Sequence, residues 1–273
     1  MKNKRFLIAS TGISPYLTEP AYTELVFLLA KAIHSRGGQV RMFMPKFGII
    51  NERKMQLHEV IRLSGTNIVV DDEDIPLIIK VASIPKERMQ VYFIDSSESF
   101  HQKMLFTDEN GEIRSDLTDF MLFFTKSVVE TAKKLNWNAD YVINVGWFTA
   151  FLPLYLKTYY KDEPLLHDAQ LMHILVNDEA LPGPLPGDVK RKLDFDEIEE
   201  AEYAPYLPPE TVNLFKGASH YADILMDGED DLHPELKKMY NDFHRFKGKI
   251  SVSLLQENSR IFDEILEQFQ SLS

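Results

Sequence analysis

The sequence predicts an α/β fold in which a parallel central sheet carries helices on both faces, with a β-hairpin as an extension. Two stretches, residues 5–47 and 141–159, each contain a short apolar strand, a turn and a segment of helical period. Further short runs of apolar residues alternate with helical segments along the rest of the chain. Strands that alternate with packed helices form parallel sheets, and this alternation is the basis of the prediction.

The first unit begins with the strand FLIAS (residues 6–10) and ends with the strand QVRMF (residues 39–43). The apolar residues between them recur on one helix face: Leu25, Leu28, Leu29, Ala32 and Ile33. Gly37 and Gly38 predict the end of this helix. Two strands joined through a helix pair in parallel, so the loop 11–20 lies at the carboxyl end of the first strand. In open parallel sheets this is where ligands bind.

Composition and charge exclude several classes of function. The chain has 273 residues, is 44% hydrophobic and 26% charged, and is therefore long enough to bury a large core. A net charge of −12 without a basic stripe predicts neither nucleic-acid nor anionic-lipid binding. No apolar run reaches the roughly 20 residues of a membrane span, so we expect no membrane association and a cytoplasmic protein. The absence of cysteine excludes disulfides and thiolate zinc sites.

The middle of the chain predicts a hairpin, a buried strand and a core helix. Alternating apolar residues flank the acidic run DDED (71–74), which we interpret as the solvated turn of a hairpin, with a metal site as the alternative. The run that begins MQVYFID (89–95) predicts a buried strand that ends at Asp95. Residues 117–135 have helical period, and we expect their phenylalanines to be core rather than a sugar-stacking platform: Phe120, Phe123 and Phe124.

The second unit predicts a strand at 141–145, a tight turn at Gly146, and a helix at 147–159 in which Pro153 causes a kink. The run QLMHILV (170–176) predicts the next parallel strand. Its His173 is interpreted as a hydrogen-bonded core or edge histidine.

The last third of the chain is less regular in sequence. Residues 180–209 are rich in proline, glycine and acidic residues, which predicts a long loop with one short helix. Such a segment is either a substrate lid or a solvated surface excursion. We expect one domain at residues 1–228, followed by a C-terminal helical tail at 229–273.

Several short motifs match one family in order along the chain. They are Ala9-Ser10, Lys31-Ala32, Arg36-Gly37, Val40-Arg41, Pro45-Lys46-Phe47, VYFID at 91–95, Asp140, Trp147, Thr149-Ala150, PLYLK at 153–157, Asn213-Leu214, Lys216 and Tyr221-Ala222-Asp223. Over residues 4–228 they resemble the opening half of bacterial glycogen synthases and plant starch synthases. The resemblance implies the Rossmann-like N-terminal half of a two-domain GT-B glycosyltransferase. Such enzymes transfer glucose from ADP-glucose to an α-1,4-glucan.

The same resemblance implies that the donor site is degenerate, because the residues at the family's donor-contacting positions are changed. The changed positions are Thr18, Glu19, Pro20, Ala21, Val145, Gly146 and Val176. No catalytic residue, cofactor or metal is expected. The candidate contacts for a glucan are Trp147, Tyr155 and Asn177.

Three hypotheses follow from this combination of a matched framework and changed site residues. The first is a non-catalytic glucan-binding or regulatory module of glycogen metabolism. The second is a transferase subunit that a separate C-terminal-type chain completes. The third is a scaffold that forms a homodimer through the face against which a second domain would pack.

Overall fold

The computed structural model describes residues 1–96, 106–108 and 110–272. The strands are β1 (Arg5–Ala9), β2 (Gln39–Pro45), β3 (His58–Glu59), β4 (Asn67–Val70), β5 (Glu73–Pro76), β6 (Ile78–Ser83), β7 (Gln90–Asp95), β8 (Tyr141–Val145), β9 (Gln170–Leu175), β10 (Ile224–Asp227) and β11 (Phe246–Lys249). The helices are α1 (Tyr22–Ser35), α2 (Leu117–Lys134), α3 (Phe151–Lys157), α4 (Val189–Phe195), α5 (Glu200–Tyr203), α6 (Thr211–Tyr221), α7 (Pro234–Asp242), α8 (Val252–Glu257) and α9 (Ile261–Leu272).

Within the described residues, nine strands form one sheet in the order β11-β10-β9-β8-β1-β2-β7-β6-β3. All neighbours are parallel from β11 to β7, whereas β6 pairs antiparallel with β7 and β3 pairs antiparallel with β6. Across the sheet, the connection from β1 to β2 runs in one direction, and the later connection from β8 to β9 runs in the opposite direction. The strand order therefore reverses between β1 and β8, and a crevice opens there at the carboxyl ends.

Helices cover both faces of the sheet, as the sequence predicts. Helices α8 and α9 pack against α1, whereas α2 and α6 pack against α3. The two groups lie on opposite faces because right-handed crossovers that run in opposite directions along a sheet place their helices on opposite sides. The phenylalanines of α2 are almost completely buried, which confirms that they belong to the core: Phe120, Phe123 and Phe124. No helix in the described part of the chain is long and apolar enough to cross a membrane.

The predicted hairpin is shorter than expected, and one residue of its otherwise exposed acidic turn, Asp71, is buried. Strands β4 and β5 form a separate two-stranded sheet around the turn residues Asp71 and Asp72, while β6 joins the main sheet. Asp71 is buried and pairs with Arg191 and Lys192 of α4. The sequence pattern could not reveal this, because the two cations are about 120 residues away along the chain.

The predicted kink at Pro153 is absent, because helix α3 begins later than expected, at Phe151. Pro153 is thus the third helical residue, in the first turn, where a backbone N–H has no partner within the helix. The four residues before the helix form a turn in which the Ala150 amide donates to the Trp147 carbonyl at 3.0 Å.

The last third of the chain contains more regular structure than the sequence suggests. The segment predicted as a loop with one short helix contains α4, α5 and a 3-10 turn at Ala204–Tyr206. Lys126 of α2 holds α4 by pairing with buried Asp196 at 2.6 Å. The tail predicted as helical contains strand β11, which extends the sheet parallel to β10. Helix α9 returns to the centre of the domain, where Phe262 packs on Phe6.

Candidate functional site

The most substantial feature at the crevice between β1 and β8 is a cleft of about 580 Å³. Its walls come from the loop after β1, the segment that precedes α2, and the segment that follows β9. The lining residues are Glu19, Pro20, Phe106, Thr107, Gly111, Asp178, Glu179, Ala180, Leu181 and Pro182. We call this the switch-point cleft. It lies where the topology of an open parallel sheet places a ligand site.

Asp178 forms the polar centre of the switch-point cleft. Its Oδ2 accepts a hydrogen bond from the Tyr22 hydroxyl at 3.0 Å, and its Oδ1 accepts one from the Glu179 amide at 2.9 Å. Gly146 lies directly beneath with a φ of +75°, and a Cβ at Gly146 would be 3.3 Å from Asp178 Oδ2 and 3.6 Å from a methyl carbon of Val176. The carboxylate therefore occupies the space that a side chain at position 146 would need.

The surroundings of Asp178 favour its protonated form. Burial raises the pKa of the Asp178 carboxyl to about 7, and the nearby carboxylates of Glu179 and Glu229 contribute to the rise. The hydrogen bonds from Tyr22 and from the Glu179 amide act in the opposite direction. Asp178 can therefore act near neutral pH either as a hydrogen-bond donor or as an acceptor.

Aromatic side chains support the cleft from below. Trp147 is fully buried, and its indole nitrogen donates to the Glu179 carbonyl at 3.2 Å. The ring of Phe106 packs on it with a centroid distance of 4.7 Å and is itself half-buried at the cleft wall. Trp147 thus positions both the segment that carries Asp178 and the apolar wall opposite.

Comparison with known proteins now identifies the family. The family described as starch synthase catalytic domain matches residues 6–245. This chain belongs to the starch synthase catalytic domain family. It is 32% identical over 225 residues to the glycogen synthase of Chlorobium limicola, covering 82% of this chain and 45% of that protein. It is 29% identical over 241 residues to the glycogen synthase of Chlorobium luteolum, covering 86% and 48%. The chain thus spans about half the length of these curated relatives.

A solved structure of the same family has the same fold. The catalytic domain of starch synthase IV from Arabidopsis thaliana, bound to ADP and acarbose, superposes with a TM-score of 0.67 at 17% identity. The superposition covers 92% of this chain and 52% of that one. The expected GT-B type of α/β fold is therefore confirmed. The matched region corresponds to the N-terminal half of a two-domain GT-B protein.

The structure brings together only some of the predicted donor-site positions of the starch synthase family. Glu19 and Pro20 line the cleft, and Gly146 and Val176 lie beside Asp178. Of the remaining positions, Val145 is buried in the sheet, whereas Thr18 and Ala21 are exposed beside the cleft.

The three candidate glucan contacts are not available in the way that the sequence suggested. Trp147 and Tyr155 are fully buried, so neither ring presents a stacking face to solvent in this structure. The Tyr155 hydroxyl donates to buried Asp196, on the side of the domain that carries α4. The side-chain amide of Asn177 donates to the Asp231 carbonyl at 2.9 Å and accepts from the His233 amide at 2.8 Å. These bonds anchor the loop after β10.

Sequence reasoning identified Glu19 and Pro20 but not the other lining residues of the cleft, among them Phe106, Asp178 and Glu179. It also missed Tyr22, which bonds Asp178. Asp178 and Glu179 could have been found, because acidic residues just past a predicted parallel strand lie at the ligand edge. Phe106 and Tyr22 had no such signal.

His173 is buried in β9 as predicted, and its Nδ1 lies 2.6 Å from the Asn144 amide nitrogen. Burial lowers the pKa of His173 to about 3, so its ring is neutral.

The chemistry of the cleft is that of a site for an uncharged polar ligand. Three carboxyl groups and several apolar surfaces line it, and the described lining residues include no lysine or arginine. Among the residues that the structure describes, no group of three or more His, Cys, Asp or Glu residues could hold a metal ion. A departing diphosphate needs cations or helix N-termini for charge stabilisation. The groups that line this cleft are instead hydrogen-bond partners for hydroxyls.

Proposed function

We propose that this domain binds an α-glucan in the switch-point cleft and does not use that cleft for a nucleotide-diphosphate sugar. In this proposal the domain is a non-catalytic glucan-binding or regulatory module of glycogen metabolism. The observation that carries the proposal is the set of carboxyl groups at the cleft, Glu19, Asp178 and Glu179, without a cation among the described lining residues.

Charge argues against the anionic donor. At an effective dielectric constant of about 20, two like charges about 4 Å apart repel by roughly 4 kcal/mol, close to a thousandfold in affinity. Glu19 lies in the loop before α1, where a helix N-terminus would otherwise attract a phosphate. Pro20 lacks the backbone N–H that such a loop would offer.

Shape and polarity argue for a glucan. A glucose ring has apolar C–H faces and a hydroxyl rim, and the cleft offers both complements. Its apolar surfaces are Pro20, Phe106, Leu181 and Pro182, and its carboxylates accept charge-assisted hydrogen bonds from hydroxyls. A volume of about 580 Å³ suits a short oligosaccharide segment.

Calorimetric titration with maltoheptaose and ADP-glucose in parallel tests the proposal. We expect saturable binding of maltoheptaose and none of ADP-glucose at millimolar concentration. Asp178→Ala should weaken maltoheptaose binding at least tenfold, because two polar contacts of the cleft are lost. The exposed residue Asp162 gives a matched control, and Asp162→Ala should bind like the wild type. Binding of ADP-glucose, or glucose transfer by the purified chain, would refute the proposal.

A second candidate is a transferase that acts together with a C-terminal-type domain. The observation that favours it is that the match covers only 45% of the Chlorobium limicola glycogen synthase and 52% of the starch synthase IV chain. Mixing this chain with a separately expressed C-terminal half of a glycogen synthase, and measuring transfer of labelled glucose to glycogen, tests it. Transfer that requires both chains would favour this candidate over the first.

A further inference from the structure

A second pocket lies at the opposite edge of the sheet from the switch-point cleft. It has a volume of about 390 Å³ and lies between the start of β7 and the turn that joins β6 to β7. Its polar lining residues are Arg41, Gln56, Ser83, Lys86, Arg88 and Gln90. We call it the basic pocket. Strand β2 is seven residues long, so about 20 Å of strand separates its two ends, and the two sites cannot overlap.

The cations of the basic pocket are not neutralised by the protein. No carboxylate is among its described lining residues, and Arg41, Lys86 and Arg88 form no ion pair with any residue that the structure describes. The one acidic residue of the turn is Glu87, which pairs with Lys31 of α1 at 2.6 Å. Three cations without an ion-pair partner among the described residues therefore lie together, although the chain as a whole has a net charge of −12.

The sheet holds one of these cations in place. Arg41, Gln90 and Ser83 are register partners on three neighbouring strands, so their side chains point to the same face. The Arg41 guanidinium packs over the ring of Trp137 at 4.5 Å. Its Nη1 donates to the Val40 carbonyl at 3.3 Å, whereas its buried Nε has no hydrogen-bond partner in the described structure. Arg41 is a partly exposed residue that lines the pocket, and its guanidinium therefore keeps donor groups for which the described structure supplies no acceptor.

We propose that the basic pocket binds a small phosphorylated metabolite, with the phosphate oxygens accepting hydrogen bonds from Arg41 and Arg88 and the Lys86 ammonium adding charge. Arginine suits this role because its planar fork matches two oxygens of one phosphate group. The glutamine and serine side chains can bond the unphosphorylated part of the ligand. A volume of about 390 Å³ suits a monosaccharide phosphate.

Calorimetric titration of the full chain at low ionic strength tests this proposal, with inorganic phosphate, pyrophosphate and glucose 1-phosphate as probes and glucose as the uncharged control. We expect one site that all three anions share and that glucose does not occupy. Arg41→Gln and Arg88→Gln should each weaken anion binding about tenfold or more. Affinity should also fall as salt is added, because exposed charges are screened.

The exposed residue Arg260 provides the matched control, since it is not among the lining residues of the pocket and its side chain forms no ion pair with any described residue. Arg260→Gln has the same change in net charge as Arg88→Gln and should leave anion binding unchanged. Equal losses in both variants would mean that net charge alone attracts the anion, and would overturn the proposal. So would the absence of saturable binding in the millimolar range. Maltoheptaose binding at the switch-point cleft is measured separately, so either proposal can fail without the other.

Discussion

The rim of the switch-point cleft and the aromatic layer beneath it differ in how they relate to the starch synthase family. The layer contains Trp147 of the family motif and the packing partners Phe106 and Phe148, with ring centroids 4.7 to 6.2 Å apart. The rim contains Glu19, Pro20 and Asp178, which are two acidic residues and a proline that lacks a backbone N–H. The layer thus contains a residue of the family motif that packs, whereas the rim presents acidic and apolar side chains to a ligand. A family fold does not by itself fix the chemistry of its site.

The largest expected effect comes from the layer. Trp147→Ala should lower the free energy of unfolding by about 3–5 kcal/mol, because it removes a fully buried indole and leaves a cavity under the cleft. Urea unfolding followed by circular dichroism measures this change. The exposed ring of Tyr159 gives a control, and Tyr159→Ala should cost much less. A Trp147→Ala protein as stable as the wild type would show that the layer does not support the cleft.

The sequence predicts the layer well and the rim poorly, for physical reasons. Phe120 and the parallel strands are set by local periodicity and burial, which the sequence displays directly. Asp178 and Gly146 form a contact across two neighbouring strands, and nothing in either stretch indicates the other. The burial of Asp71 against Arg191 was also hidden from the sequence, since a long-range ion pair buries one residue of a turn that is otherwise exposed. At the cleft, the family resemblance gave a reference at positions such as Glu19 and Pro20, and it predicted changed site residues there.

A smaller effect is expected at Gly146, where the rim meets the layer. Gly146→Ala should destabilise the domain by about 1–2 kcal/mol, because the φ of +75° is unfavourable for a residue with a Cβ. The new Cβ would also approach Asp178 Oδ2 to 3.3 Å and disturb its bond with Tyr22. Gly183→Ala is the matched control, since a Cβ there would be 3.9 Å from its nearest neighbour. Comparable midpoints of thermal unfolding for the two variants would contradict a tight contact at Gly146.

The smallest effect concerns the protonation of Asp178. Its pKa in the folded domain is about 7, above the value near 3.9 of an unfolded aspartate, so the folded state binds the extra proton between these values. The contribution of Asp178 to the free energy of unfolding is therefore greatest at low pH, and this contribution is lost as the pH rises through about 7. His173, buried and neutral with a pKa of about 3, acts in the opposite direction below its unfolded pKa of about 6.5.

Because the two groups oppose each other, the difference between Asp178→Asn and the wild type isolates the aspartate. Asp178→Asn keeps the shape of the side chain and a partner for the Tyr22 hydroxyl, but it cannot ionise. Relative to the wild type, it should gain about 1 kcal/mol in free energy of unfolding between pH 5 and pH 8, a value reduced from the full pKa shift because Asp178 is partly exposed. Urea titrations at pH 5, 6, 7 and 8 measure this difference. A stability difference independent of pH would mean that Asp178 is already ionised at pH 5, and that the cleft is more open to water than its geometry indicates.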